Sequence, residues 1–203
     1  MLTAALAGAL ATLSLEWSNV RDYTVTIDAR EFRGDRSRQQ VLLYAYRRPD
    51  SARLEVLTGP GRGDVVVWRG EDRVIAYRRG LAIFSIRVKP SDERVTSLRG
   101  NGVLTPNFDK VLACFAGHSS RVSERPGPLV EGESTTAIEL AHAGIACELD
   151  SPVDREVTRD VLYVSRKTGL PVRRERYAGA RLVESWELRN LQLNPDLPDS
   201  MFL

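Results

Sequence analysis

Apolar and polar residues alternate one by one along much of this chain, in short runs broken by turn residues. Tyr23, Val25 and Ile27 alternate with Thr24, Thr26 and Asp28, and Leu54 and Val56 with Arg53 and Glu55. A period of two marks a strand with one face buried. Runs at 41–47, 65–68, 73–77 and 82–88 follow, separated by Gly34-Asp35, Arg48-Pro49-Asp50, Gly70-Glu71-Asp72 and Arg79-Gly80. The last forty residues repeat the theme. A strand at 161–166 meets a Lys167-Thr168-Gly169 turn, a second strand follows from 170, and a third covers 182–188. A Pro-containing tail then ends on Met201-Phe202. Residues 135–140 and 146–149 supply two further strand candidates. Short strands at this spacing predict an antiparallel meander, not βαβ units.

Two segments depart from that period. Leu2, Leu6, Leu10, Leu13 and Trp17 recur at helical spacing and predict a helix over 2–17. Residues 1–20 also resemble the apolar core of a secretory signal but lack a basic leader. The helix is the favoured reading, and a complete signal peptide is not visible in this sequence. Residues 107–117 place Phe108, Val111, Leu112 and Phe115 on one stripe, with Asn107 or Thr105 as cap. This second helix, within 105–118, is expected to lie across the sheet as a lid. The fold class is mainly β (α+β), in a single domain spanning 1–203.

The apolar strand positions define the candidate site. They are Val25, Ile27, Leu54, Val56, Trp68, Ile75, Phe84, Ile86, Leu162, Val164, Leu182, Trp186 and Leu188, with Phe108, Leu112 and Phe115 from the lid. Two helices cover a broad curved sheet incompletely, so an apolar cavity is expected beneath them. Each methylene buried there would contribute about 0.8 kcal/mol. The competing reading makes the same residues plain core.

Composition narrows the function. The 203 residues carry 29 basic and 27 acidic side chains, with only three lysines. Basic residues are interleaved with acids, as in Glu71-Asp72-Arg73, so no single-sign stripe offers itself to nucleic acid. Cys114 and Cys147 stand 33 positions apart, fit no metal spacing, and read either as one disulfide or as two buried thiols. His118 and His142 lie in no metal-ligand motif, and no GxSxG serine is present. Gly59-Pro60-Gly61-Arg62-Gly63-Asp64 reads as a hairpin turn. The chain is expected to be non-enzymatic, without cofactor or metal.

Asp22-Tyr23-Thr24, the stretch from Val164 through Thr168-Gly169-Leu170-Pro171 to Arg173, and the closing Leu193-Asn194-Pro195 with Leu197-Pro198-Asp199-Ser200-Met201-Phe202 together resemble the LolA/LolB/RseB lipoprotein-carrier superfamily. The similarity is strongest to LolA-like domains of bacterial exported proteins. It implies an incomplete antiparallel β-barrel capped by helices. The implied role is a monomeric, periplasmic, peripherally associated carrier of lipoprotein acyl chains or another lipid, in outer membrane biogenesis. An envelope protein-interaction or stress-sensing module docking on the same sheet is the alternative. Carriers of this kind hold the lid with an arginine on an early strand. Arg47 and Arg53 are the nearest counterparts, and neighbouring residues do not select one.

Overall fold

The computed structural model describes residues 8–141 and 156–203. One open antiparallel sheet of eleven strands dominates it. Six strands precede the second helix: β1 (Asp22–Arg33), β2 (Arg36–Arg47), β3 (Ser51–Thr58), β4 (Asp64–Arg69), β5 (Val74–Arg78) and β6 (Ile86–Val88). Five follow it: β7 (Val122–Pro126), β8 (Thr135–Ala141), β9 (Arg159–Ser165), β10 (Pro171–Ala178) and β11 (Arg181–Leu193). The spatial order β6-β5-β4-β3-β2-β1-β11-β10-β9-β8-β7 is two meanders joined where β1 pairs with β11. Among the described residues β6 and β7 are the edges, so the barrel stays incomplete.

Alternation decides which face each residue serves. Tyr23, Val25, Ile27 and Ala29 line the concave face, level with Tyr46, Tyr44 and Leu42 of β2. On β11 the even positions Trp186 and Leu188 share that face. A register shift near Asn190, whose φ is +53°, then returns odd positions Leu191 and Leu193 to it. Such a bulge offsets the pleat by one residue without breaking the pairing.

Two helices pack onto the concave face. α1 (Gly8–Ser18) buries Leu10, Leu13 and Trp17. Its first amides, Ala9 N and Leu10 N, donate to the Glu124 carboxylate at 3.0 and 2.9 Å, where the helix's positive end favours an anion. α2 (Phe108–Gly117) is capped by Asn107, whose Oδ1 accepts from Asp109 N and Lys110 N. Phe108, Val111, Leu112 and Phe115 of α2 are buried. Trp17, Tyr23 and Phe108 form an aromatic cluster with centroids 5.1 to 6.0 Å apart. Tyr23 donates to Pro106 O at 3.0 Å and accepts from Phe108 N at 3.1 Å, fixing where α2 begins. Burial pushes the Tyr23 and Tyr44 phenols well above their ordinary range.

The convex face is partly covered by the C-terminal tail. Leu197, Met201 and Phe202 pack on Ala45, Val65 and Val67. Arg47 donates to Leu197 O and pairs with Asp199, and Arg69 donates to Phe202 O.

Two expectations change, and others fall outside the described residues. Residues 82–88 are not one strand: Ala82–Phe84 is a 3-10 turn and only Ile86–Val88 pairs. Ile75 is registered against Val67 and therefore faces the convex side. The strand expected at 146–149 lies outside the described residues, as do His142 and the part of the expected first helix before residue 8.

Candidate functional site

A cavity of about 240 Å³ lies between the concave face and a roof formed by residues 93–106. Leu42, Leu54, Val56 and Val66 from β2, β3 and β4, with Trp186 from β11, make its apolar floor. Val95, Thr96 and Gly102 face them from the roof, and Pro60, Gly61 and Asp64 close one side. Asp92 Oδ1 accepts from Arg94 N to start the turn Glu93–Val95. The Arg94 guanidinium and amide hold the Asp92 carboxyl down at about 2.

One end of the cavity is charged. A cross-strand row runs Asp160, Arg176, Glu184, Glu31, Arg38 across β9, β10, β11, β1 and β2. The first four are at most 4% exposed. Glu31 and Glu184 are direct neighbours, a repulsive pair unless bridged. Asn101 bridges them, donating from Nδ2 to Glu31 Oε1 at 2.6 Å and Glu184 Oε2 at 2.9 Å. Ser97 Oγ also donates to Glu31. Arg99, fully buried, pairs with Glu156 at 2.9 Å and lies 4.0 Å from Glu184. The Ser97–Asn101 loop that delivers these groups turns at Gly100, whose φ of +84° suits glycine. Next in the lattice, Arg174 grips Asp160 through two nitrogens and stacks 5.2 Å over Trp186. The concave face is thus a packed apolar end, a cavity and a buried ionic end, not a uniformly apolar cup.

The expected site residues divide accordingly. Leu54, Val56 and Trp186 line the cavity. Val25, Ile27, Leu162, Val164, Leu188, Phe108, Leu112 and Phe115 are buried together in the core under the helices. Trp68 sits half-buried against that core and donates its indole N–H to Glu71 O. Leu182 lies past a register shift, opposite Tyr177 and half-buried. Phe84 and Ile86 are exposed, at 72% and 40%. Cys114 is disulfide-bonded, and Cys147 lies outside the described residues. Glu31, Arg99, Asn101 and Glu184 were not singled out from sequence. Glu184, set between Leu182 and Trp186 in an otherwise apolar alternation, was the available signal.

The arginine that ties the helices down is Arg48. Its Nε and Nη2 clasp both Asp109 oxygens at 2.8 and 2.7 Å, and it donates to Trp17 O and Ser18 O at the end of α1. Trp17 Nε1 donates to the same carboxylate. Arg53 points to the convex side, bonding Tyr77 and Glu55. Arg48→Ala is expected to lower unfolding stability by about 2 kcal/mol in urea titrations. Lysine should recover only part of that, because it cannot form the fork.

Among the described residues no group of three His, Cys, Asp or Glu could hold a metal, and no helix is long and apolar enough to cross a membrane. His118 Nδ1 sits 2.9 Å from Cys114 O at the end of α2. The arrangement offers an apolar floor with one polar end, where Ser97 Oγ donates to the Glu31 carboxylate.

No protein-family profile matches the chain. No curated protein matches it either. Solved structures do. A DUF1329 family protein from Desulfovibrio piger superposes with a TM-score of 0.50 at 13% identity, covering 96% of this chain and 94% of that one. MucB superposes with a TM-score of 0.52 at 15% identity over 100% of this chain, which spans 63% of MucB. A LolA superfamily protein from Nitrosomonas europaea gives 0.44 at 13% identity, covering 98% of both chains. At these identities the likeness is one of architecture: the chain shares the fold of the DUF1329 family protein and of MucB.

Proposed function

We propose that this protein is a non-enzymatic binding or carrier protein of the bacterial envelope that holds one apolar chain, of a lipoprotein or another lipid, beneath residues 93–106. The observation that carries this reading is the cavity floored by Leu42, Leu54, Val56, Val66 and Trp186. Its volume of about 240 Å³ falls just below the roughly 300–1,000 Å³ of small-molecule pockets. That suits a single chain and not a bundle of acyl chains. About eight to ten buried methylenes would supply roughly 6–8 kcal/mol before ordering costs, a reversible affinity of micromolar order or weaker. Reversibility is what a carrier requires.

A periplasmic location follows from the same reading and from the sequence resemblance. Docking of an envelope protein on this sheet has less support, because α1, α2 and residues 93–106 already cover the concave face. The test is extraction of detergent-free protein with organic solvent, followed by mass spectrometry. One class of long-chain amphiphile, at up to one equivalent, is the expected result. Protein that carries none and takes up none from an added lipid mixture would refute the proposal.

A further inference from the structure

The turn after β5 is a second apolar feature, unconnected with the core. Leu81, Ile83, Phe84 and Ile86 are 48, 87, 72 and 40% exposed, and every residue from 78 to 87 is exposed. Four large apolar side chains within six positions, outside every buried cluster, call for a covering partner. Between 78 and 89 the chain holds Arg78, Arg79, Arg87 and Lys89 and no acid. Arg78 and Arg79 pair with Asp64 and Glu55, yet stay 61 and 70% exposed.

Its shape selects the partner. The feature is a narrow tip, turned at Gly80 (φ +81°), carried by the 3-10 turn Ala82–Phe84 and ending where edge strand β6 begins at Ile86, not a groove or a broad sheet face. Four side chains fall far short of the roughly 800 Å² per partner of a stable protein interface. An apolar tip whose own segment carries only basic charges, two of them paired with Asp64 and Glu55 and two left over in Arg87 and Lys89, is instead the pattern of a segment that dips into the headgroup layer of an anionic bilayer.

The position is also informative. Arg79 N donates to Gly63 O at 2.7 Å and Arg78 Nη2 to Arg62 O at 2.9 Å, so the tip stands beside the turn that closes one side of the cavity. We infer that residues 81–86 are a membrane-docking tip for anionic lipid surfaces, bringing the cavity's Pro60–Asp64 side to the bilayer. The inference rests on the tip's exposure and charge and holds whether or not the cavity carries lipid.

The experiment is co-sedimentation with vesicles of equal parts phosphatidylglycerol and phosphatidylcholine. Wild-type protein should bind these vesicles, bind pure phosphatidylcholine far less, and be released by salt. Ile83→Asp with Phe84→Asp should weaken binding by about tenfold or more. Arg87→Gln with Lys89→Gln should weaken it and flatten the salt dependence. In a Phe84→Trp protein, tryptophan emission should shift to the blue on the anionic vesicles. Absence of wild-type binding, unchanged binding of the double aspartate protein, or emission from the Phe84→Trp protein that stays unshifted would overturn the inference. So would concentration-dependent self-association abolished by the aspartates, which would give the tip to a second copy. Val56→Trp should leave vesicle binding intact, and the aspartates should leave ligand uptake from solution intact, which separates this inference from the proposed function.

Discussion

Replacing Arg99 with methionine is expected to lower unfolding stability by about 3–5 kcal/mol, the usual cost of removing one partner from a buried ion network. Arg99 is wholly buried. It reaches Phe32 O at 3.0 Å, Glu156 at 2.9 Å and the surroundings of Glu184. Methionine fills similar space but leaves Glu31 and Glu184 adjacent with less cationic compensation. The effect should extend beyond stability. The Ser97–Asn101 loop anchors residues 93–106, so loosening it should also weaken the cavity roof. Adding Glu184→Gln should return part of the loss, because it removes one of the two facing charges. Denaturant titration of the single and double variants checks this. A loss below about 1 kcal/mol, or strictly additive losses, would show the row is not coupled as described.

The second large effect is expected from Val56→Trp. Val56 is 7% exposed at the cavity floor, beside Leu42, Leu54 and Val66, and Val95, Thr96 and Gly102 face it from the roof. An indole there would occupy space the fold leaves open, so overpacking should cost less than the usual 1–3 kcal/mol. Lipid recovered by extraction should fall by about tenfold or more, the loss of roughly two buried methylenes' contribution being enough. A folded Val56→Trp protein that still extracts with wild-type amounts of lipid would move the ligand elsewhere.

Much of the architecture was legible because period-two alternation is local. β1, β3 and the first part of β11 each announce a buried face within a few residues, while β4 and β9 show as short continuous apolar runs. α2 was legible in the same way, from its four-residue stripe and its Asn107 cap. What alternation cannot carry is register. Ile75 reads like any inward residue, yet its pairing with Val67 turns it outward. β10 carries charge on both faces, Arg174 and Arg176 inward and Arg173 and Glu175 outward, so nothing local distinguishes its buried arginines. Their burial follows from Asp160 and Glu184, which lie 14 and 8 positions away. The cavity roof was the least legible part. Residues 93–106 have neither period, and their place is set by Arg99 and Asn101 reaching long-range carboxylates. Phe84 and Ile86 continue the apolar alternation of their neighbours, yet Phe84 sits in a 3-10 turn off the sheet and Ile86 opens its edge strand, so both are exposed.

Titration of a fluorescent long-chain fatty acid into delipidated protein, read by energy transfer from Trp186 at the cavity floor, addresses the central claim most directly. Saturable binding at one equivalent, with transfer weakened on Trp186→Phe and uptake lost on Val56→Trp, is the predicted result. Non-saturable partitioning, or uptake that ignores Val56→Trp, would contradict it.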